Sequence, residues 1–165
     1  MGKKFERNLL GLLFIFGIVS FFNLIRKPPM KEWLIIFFLK SYIATFLDNL
    51  LVRKGFLKYP VNLIKTFDVS VLFSYIIFPV TCVYYNQLTR NNGVRGILLK
   101  SLIFSAPSAI AEHFLEKYTQ LIRYKKSWNS YYSFVSIMAT FLITRGIMGL
   151  IRKSSENQQT PDPKY

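Results

Sequence analysis

The chain has 165 residues, of which 52% are hydrophobic and 17% aromatic, and its 22 Lys and Arg against 8 Asp and Glu give a formal charge of +14. A soluble domain of this composition would expose more apolar surface than a monomer tolerates, which excludes an ordinary soluble protein. A strongly basic chain suits nucleic acid or an anionic membrane surface. Because almost all charges lie between apolar blocks, we predict contact with anionic lipid headgroups and none with nucleic acid.

Five apolar blocks are long enough to cross a membrane, since a bilayer core of about 30 Å takes about 20 helical residues. They cover residues 9–25, 33–52, 69–88, 97–115 and 131–151. The first block runs into the Pro28-Pro29 pair without a cleavage site, which predicts an uncleaved anchor helix. We therefore predict an all-α, polytopic transmembrane bundle of about five spans.

Breaks in the pattern define the ends and the weak points of these spans. Arg53-Lys54-Gly55 predicts a helix end. Pro79 predicts a kink in the otherwise uncharged third block. The fourth block has the weakest pattern of a membrane span, because Lys100, Pro107 and Glu112 interrupt it. Residues 154–165 are polar and contain two prolines, so we predict a disordered tail after one membrane domain, 1–153.

The Lys and Arg in the connections predict the orientation. With the N-terminus inside, eleven basic residues lie on the inner side and nine on the outer, which weakly favours that arrangement for five spans. The inner segments carry seven basic residues that we expect to contact anionic lipid: Lys54, Lys58, Lys65, Lys117, Arg123, Lys125 and Lys126.

Six ionisable residues within or beside the spans form a candidate intramembrane polar cluster: Lys40, Asp48, Glu112, His113, Glu116 and Arg145. An ionisable group at membrane depth is costly, so it normally faces the bundle interior and has a partner. We predict that Asp48 and Glu112 lie near each other, with Arg53 as a basic partner. Lys40 and Arg145 have long side chains and are expected to extend to the membrane surface.

The spacing of His113 and Glu116 puts both side chains on one helix face, which suits metal binding or proton relay but equally a polar helix end. We predict no metal or other cofactor. The sequence contains no Gly-rich phosphate loop, no Cys-x-x-Cys and no Gly-x-Ser-x-Gly, so we also predict that the protein is not an enzyme. The single cysteine, Cys82, is expected to be a small buried residue.

Small and hydroxyl-bearing residues recur at helical spacing on three of the spans. The three faces are Ser41, Thr45, Asp48 and Asn49; Ser101, Ser105, Ala109, Glu112 and Glu116; and Ser133, Ser136, Thr140 and Thr144. Such faces usually pack against other helices in membranes. The alternative is that they line a polar path.

Two segments are distinctive in sequence: ATFLDNLLVRKGFLKYP at 44–60 and EKYTQLIRYKKSW at 116–128. Together they resemble an uncharacterised family of small multi-spanning membrane proteins from Bacillus, Clostridium and related spore-forming Firmicutes. The resemblance implies a bacterial cytoplasmic membrane and supplies no catalytic residues.

Two functions are consistent with these features. We favour the first, an interaction or scaffold subunit whose small and polar faces pack within the bundle or against another membrane protein. The alternative is a small channel or transporter component with Asp48, Glu112 and Arg145 along a polar path. An intramembrane enzyme is the weakest reading, because no nucleophile stands beside a base.

Overall fold

The computed structural model describes residues 3–64 and 67–159, and these residues are mainly helical. These residues form five α-helices and two very short strands, in this order: α1 (Lys3–Ile25), α2 (Met30–Arg53), β1 (Leu57–Lys58), α3 (Phe78–Thr89), α4 (Val94–Tyr118), β2 (Arg123–Tyr124) and α5 (Ser130–Gln159). The predicted all-α bundle is confirmed.

Within the described part of the chain, four helices, α1, α2, α4 and α5, are long and apolar enough to cross a membrane. The fourth block, which looked least secure, forms the single helix α4 with Pro107 inside it. A helix tolerates a proline there when neighbouring groups satisfy the freed carbonyl. Helix α5 continues to Gln159, beyond the predicted start of the tail at Ser154, and residues 160–165 lie outside the described part of the chain.

The third block is helical over 71–89 but changes its winding. Phe73–Ile77 forms a π-helical turn, in which the Phe78 N–H reaches back to the carbonyl of Phe73, and α3 follows directly. Pro79 has no N–H to donate to the carbonyl of Tyr75 four residues earlier. The Ser41 hydroxyl from α2 donates to the Phe37 carbonyl at 2.8 Å and lies 3.5 Å from the Tyr75 carbonyl oxygen. The irregularity expected at Pro79 is therefore a π-helical turn just before it.

Helix α2 lies at the centre of the bundle, packed against α3 and α5, while α4 packs along α5. Helix α1 packs on the π-helical turn at Gly17, where a Cβ atom would collide with the side chain of Ile76. The connections 26–29 and 90–93 lie at one end of the bundle, called here the far end. Both strands lie at the other.

The predicted stop after α2 is a Schellman motif. The Gly55 N–H donates to the Val52 carbonyl at 2.9 Å, and the Phe56 N–H donates to the Leu51 carbonyl at 2.9 Å. Gly55 has a φ of 74°, a conformation that favours glycine. The motif turns the chain sharply from α2 into β1.

Strands β1 and β2 pair antiparallel, with Leu57 opposite Tyr124 and Lys58 opposite Arg123. The rings of Phe56 and Trp128 pack beside the strands, with centroids 5.9 Å apart. We call β1, β2, Phe56 and Trp128 the sheet cap, and its end of the bundle the cap end. The cap joins the two segments that are distinctive in sequence, 44–60 and 116–128.

Candidate functional site: a polar cavity inside the bundle

A cavity of about 30 Å³ lies between α2, α4, α5 and the sheet cap. Its polar lining comes from three helices: Lys40, Asp48, Glu112, Ser133, Ser136 and Thr140. A cavity needs at least about 10–15 Å³ to hold one water molecule. This space therefore accommodates a water molecule among polar partners and is too small for an organic solute.

Lys40 points into the bundle and is only 2% exposed. Its ammonium donates a hydrogen bond to the Thr140 hydroxyl of α5 and lies 4.9 Å from the centroid of the Phe141 ring. Asp48 and Glu112 both attract it electrostatically. The expectation that Lys40 extends to the membrane surface is wrong. The hydroxyl, the ring face and two carboxylates offset the cost of desolvating the ammonium.

Asp48 faces the same interior and accepts a hydrogen bond from the Ser74 hydroxyl of the π-helical turn. The Tyr59 hydroxyl, just after β1, also interacts with this carboxylate through a hydrogen bond. The prediction that Arg53 is the basic partner of Asp48 is wrong, because Arg53 is exposed and lines a groove on the outer face of α2. Asp48 therefore interacts with hydroxyl groups and with Lys40.

Glu112 lines the cavity together with Asp48, as predicted for this pair. The Tyr124 hydroxyl of β2 donates to its Oε2 at 3.4 Å. Ser133, at the start of α5, also forms a side-chain hydrogen bond with Glu112. Each carboxylate thus has one serine partner and one tyrosine partner.

The two tyrosines connect the carboxylates to the surface at the cap end. Tyr59 lines a cleft of about 580 Å³ beside Arg7 and Asp68. Tyr124 lines a second cleft, of about 510 Å³. Burial raises the pKa of both phenols well above their ordinary range, and the charges of Asp48 and Glu112 act in the same direction. Both hydroxyls therefore stay protonated and remain hydrogen-bond donors.

Buried polar groups continue from Lys40 toward the far end. The Thr144 hydroxyl donates to the Thr140 carbonyl at 2.8 Å, and Cys82 interacts with Thr144 and Asn86. Cys82, Asn86 and Thr144 are all fully buried. Cys82 is a free thiol, as expected, although its neighbours are polar. A row of small polar side chains thus runs along the interface of α3 and α5.

The other members of the predicted cluster lie elsewhere. His113 is exposed, with Nδ1 2.9 Å from the Ser130 hydroxyl, and Glu116 lines the surface cleft beside Tyr124. Arg145 is at the far end, where its Nη2 donates to the carbonyls of Thr89 at 3.0 Å and Arg90 at 3.3 Å. It contacts the C-terminal end of α3, because the free carbonyls there attract a cation.

The residues predicted to contact anionic lipid share one end of the molecule. Lys54, Lys58, Lys117, Arg123, Lys125 and Lys126 are all exposed, on or beside the sheet cap. Lys65 lies outside the described residues. The Lys126 ammonium also donates to the Lys54 carbonyl at 2.5 Å and lies 5.2 Å from the centroid of the Phe56 ring, so it stabilises the cap.

Two acidic residues were missed in the sequence analysis. Glu6 is 1% exposed, and its Oε1 accepts a hydrogen bond from the Gln120 N–H at 2.9 Å, which ties α1 to the segment after α4. Glu32 accepts a hydrogen bond from Nε of Arg152 at 2.8 Å and lies 3.5 Å from Nη2 of Arg90. In the sequence, each of the two is a single acidic residue among several Lys and Arg residues. Such an acidic residue needs a partner, and this pattern could have identified both.

Among the residues that the structure describes, no group of three His, Cys, Asp or Glu side chains could hold a metal ion. No family model, no curated protein sequence and no solved structure matches this chain.

Proposed function

We propose that this protein is a small proton-conducting membrane component, a channel or part of a transporter, in which Asp48 and Glu112 bind and release the proton. One observation carries the proposal: Lys40, Asp48 and Glu112, from two helices, share a cavity the size of a water molecule. Ionisable residues within membrane spans commonly mark proton relays. The small volume favours protons over organic solutes.

The charges of the cavity suggest how many protons it exchanges. With Lys40 protonated and both carboxylates ionised, the three groups carry a net charge of −1. A net charge in a poorly solvated site is costly, so binding one proton at Asp48 or Glu112 is favourable. A water molecule bound in this cavity would link the carboxylates, and Tyr59 and Tyr124 give each of them a hydrogen-bonded route to a cleft at the cap end.

The row of polar groups between α3 and α5 supports a route to the far end. It begins at Thr140, the partner of Lys40, and continues through Thr144, Cys82 and Asn86. Hydroxyl and amide groups both donate and accept hydrogen bonds, which a proton route through water and side chains requires. Lys40 lies between the carboxylates and this row.

The interaction or scaffold subunit is a second candidate. Of the three small-residue faces, the serines and threonines of α4 and α5 at 101, 105, 133, 140 and 144 are buried inside the bundle, so they pack within the protein. The α2 face keeps Thr45 and Asn49 on the outside, where they line the groove with Arg53. An interaction role would therefore depend on that groove.

The proposed setting is the cytoplasmic membrane of a bacterium, with the cap end inside. The exposed lysines and arginines of the sheet cap support this orientation, because positive loops favour the cytoplasmic side and anionic headgroups. The family resemblance supports the bacterial origin. The proposal involves no enzymatic reaction and no nucleic acid.

Proton flux in proteoliposomes tests the proposal. The full chain is reconstituted with a pH-sensitive dye inside, and a potassium diffusion potential drives proton uptake. We expect Asp48→Asn and Glu112→Gln each to lower the flux about tenfold or more, because each variant removes one positioned proton acceptor. Glu156→Gln, an exposed change at the far end, is the matched control.

A second pair of variants tests the route. Tyr59→Phe removes one hydroxyl between a cleft and Asp48, and we expect a smaller decrease in flux. Tyr131→Phe, at a side chain that is 68% exposed, is the control. Flux equal to that of empty liposomes, or flux unchanged in a folded Asp48→Asn/Glu112→Gln double variant, would contradict the proposal.

A further inference from the structure

We infer that the groove on the outer face of α2 binds an anionic phospholipid, with the phosphate at Arg53 and one acyl chain along the helix. This inference is independent of proton conduction. The groove has a volume of about 760 Å³, in the range of about 300–1,000 Å³ that small-molecule sites usually have.

The walls of the groove are large apolar and aromatic side chains. Phe38, Tyr42 and Phe46 follow one another at four-residue spacing on α2 and are 64%, 72% and 63% exposed. Tyr75 of the π-helical turn forms the opposite wall and is 38% exposed. Apolar walls facing the bilayer suit a hydrocarbon chain.

The floor of the groove is a row of polar residues that ends in a cation. Ser41, Thr45, Asn49 and Arg53 recur at four-residue spacing on α2, so they lie on one face. Arg53 is exposed and marks the cap end of this row. An arginine there suits a phosphate, because its planar guanidinium donates two parallel hydrogen bonds to phosphate oxygens.

The depth of the row fits a lipid placed this way. Asn49 lies one helical turn below Arg53, about 6 Å toward the membrane centre. Its Nδ2 donates one N–H to the Thr45 carbonyl at 2.9 Å, and the amide has a second N–H that can donate to an ester carbonyl of the lipid. From Arg53 to Ser41 the row spans about 18 Å, comparable with the about 15 Å of one leaflet of the hydrocarbon core.

Charge and shape favour a lipid over a second protein helix. Close helix packing in membranes uses small residues on both sides, whereas this groove is walled by Phe and Tyr side chains. A second copy of the chain, packed on the same groove with parallel α2 helices, would place two Arg53 side chains near each other. An anionic headgroup instead neutralises Arg53 in a chain whose formal charge is +14.

Native mass spectrometry of the detergent-solubilised full chain tests the inference, with phosphatidylglycerol and phosphatidylcholine of identical acyl chains as probes. We expect retention of phosphatidylglycerol at least about fivefold above phosphatidylcholine, consistent with about 1 kcal/mol for a basic residue near the surface. Arg53→Gln should remove this preference. Arg95→Gln, an equal change of charge on an exposed residue of α4, should preserve it.

A groove-filling variant tests the position of the acyl chain. Thr45→Phe occupies the floor of the groove and should lower the retention of both lipids, while the protein remains monodisperse. Equal loss of phosphatidylglycerol in Arg53→Gln and Arg95→Gln would overturn the site, because binding would then follow net charge alone. A dimer mass that Thr45→Phe abolishes would assign the groove to a second copy and also overturn the lipid.

Discussion

The ammonium of Lys40 donates a hydrogen bond to the hydroxyl of Thr140, joining α2 to α5 inside the helix bundle. This contact places the cation beside the cavity that Asp48 and Glu112 line. The sequence predicted that Lys40 extends to the membrane surface. Its partners inside the bundle hold the ammonium there instead.

Lys40→Met is therefore predicted to destabilise the protein at least as much as Asp48→Asn. Methionine fills the space but leaves two carboxylates without their cation, a loss on the order of 3–5 kcal/mol for a buried pair. The measurement is unfolding in mixed micelles, with Lys153→Met as a control on an exposed residue of α5. Equal stability of Lys40→Met and Lys153→Met would contradict the placement of Lys40.

The contact between α1 and the π-helical turn predicts a second difference in stability. Gly17→Leu introduces a side chain where even a Cβ atom collides with Ile76, and overpacking of this kind costs about 1–3 kcal/mol. Gly11→Leu is the matched control on the same helix, because its added Cβ meets nothing within 4 Å. We expect Ile76→Ala to recover part of the loss. No difference between the two glycine variants would show that α1 does not pack there.

The register of the sheet cap predicts a specific disulfide. Lys58 and Arg123 are directly opposite each other in the two strands, and the variant carries Lys58→Cys and Arg123→Cys. Paired Cα atoms lie about 4.5–5.5 Å apart, within the range that a disulfide spans. The 58 and 125 pair is a diagonal neighbour at about 7–8 Å and should cross-link more slowly. Mobility on a non-reducing gel after mild oxidation reads the result, and preferential 58–125 cross-linking would show another register.

If all five predicted spans cross the membrane, the two ends of the chain lie on opposite sides. A reporter fused after Tyr165 should therefore be active outside the cytoplasm if the N-terminus is inside. A cytoplasmic reporter would indicate four spans, and the segment 71–89 would then be the one that does not cross. Neutralising Lys54, Lys58, Lys125 and Lys126 should produce mixed orientations, because it removes much of the positive charge at the cap end.

The sequence by itself determined the helices. An apolar block of about 20 residues in a bilayer must satisfy its backbone internally, so block length alone predicts a helix in each of the five places. It also identified Asp48 and Glu112 as neighbours, because two carboxylates on polar helix faces are costly toward lipid and therefore face the bundle interior.

Only the tertiary structure decided which way the other side chains point and which segments meet. Lys40 and Arg53 lie on the same helix, yet one is inside the bundle and the other outside, because Thr140 and the carboxylates lie on one side of α2 only. The pairing of Tyr59 with Asp48, and of Tyr124 with Glu112, depends on β1 meeting β2 across the chain. Helices that are apolar on nearly every face carry little signal of their partners, so contacts between distant segments set these positions.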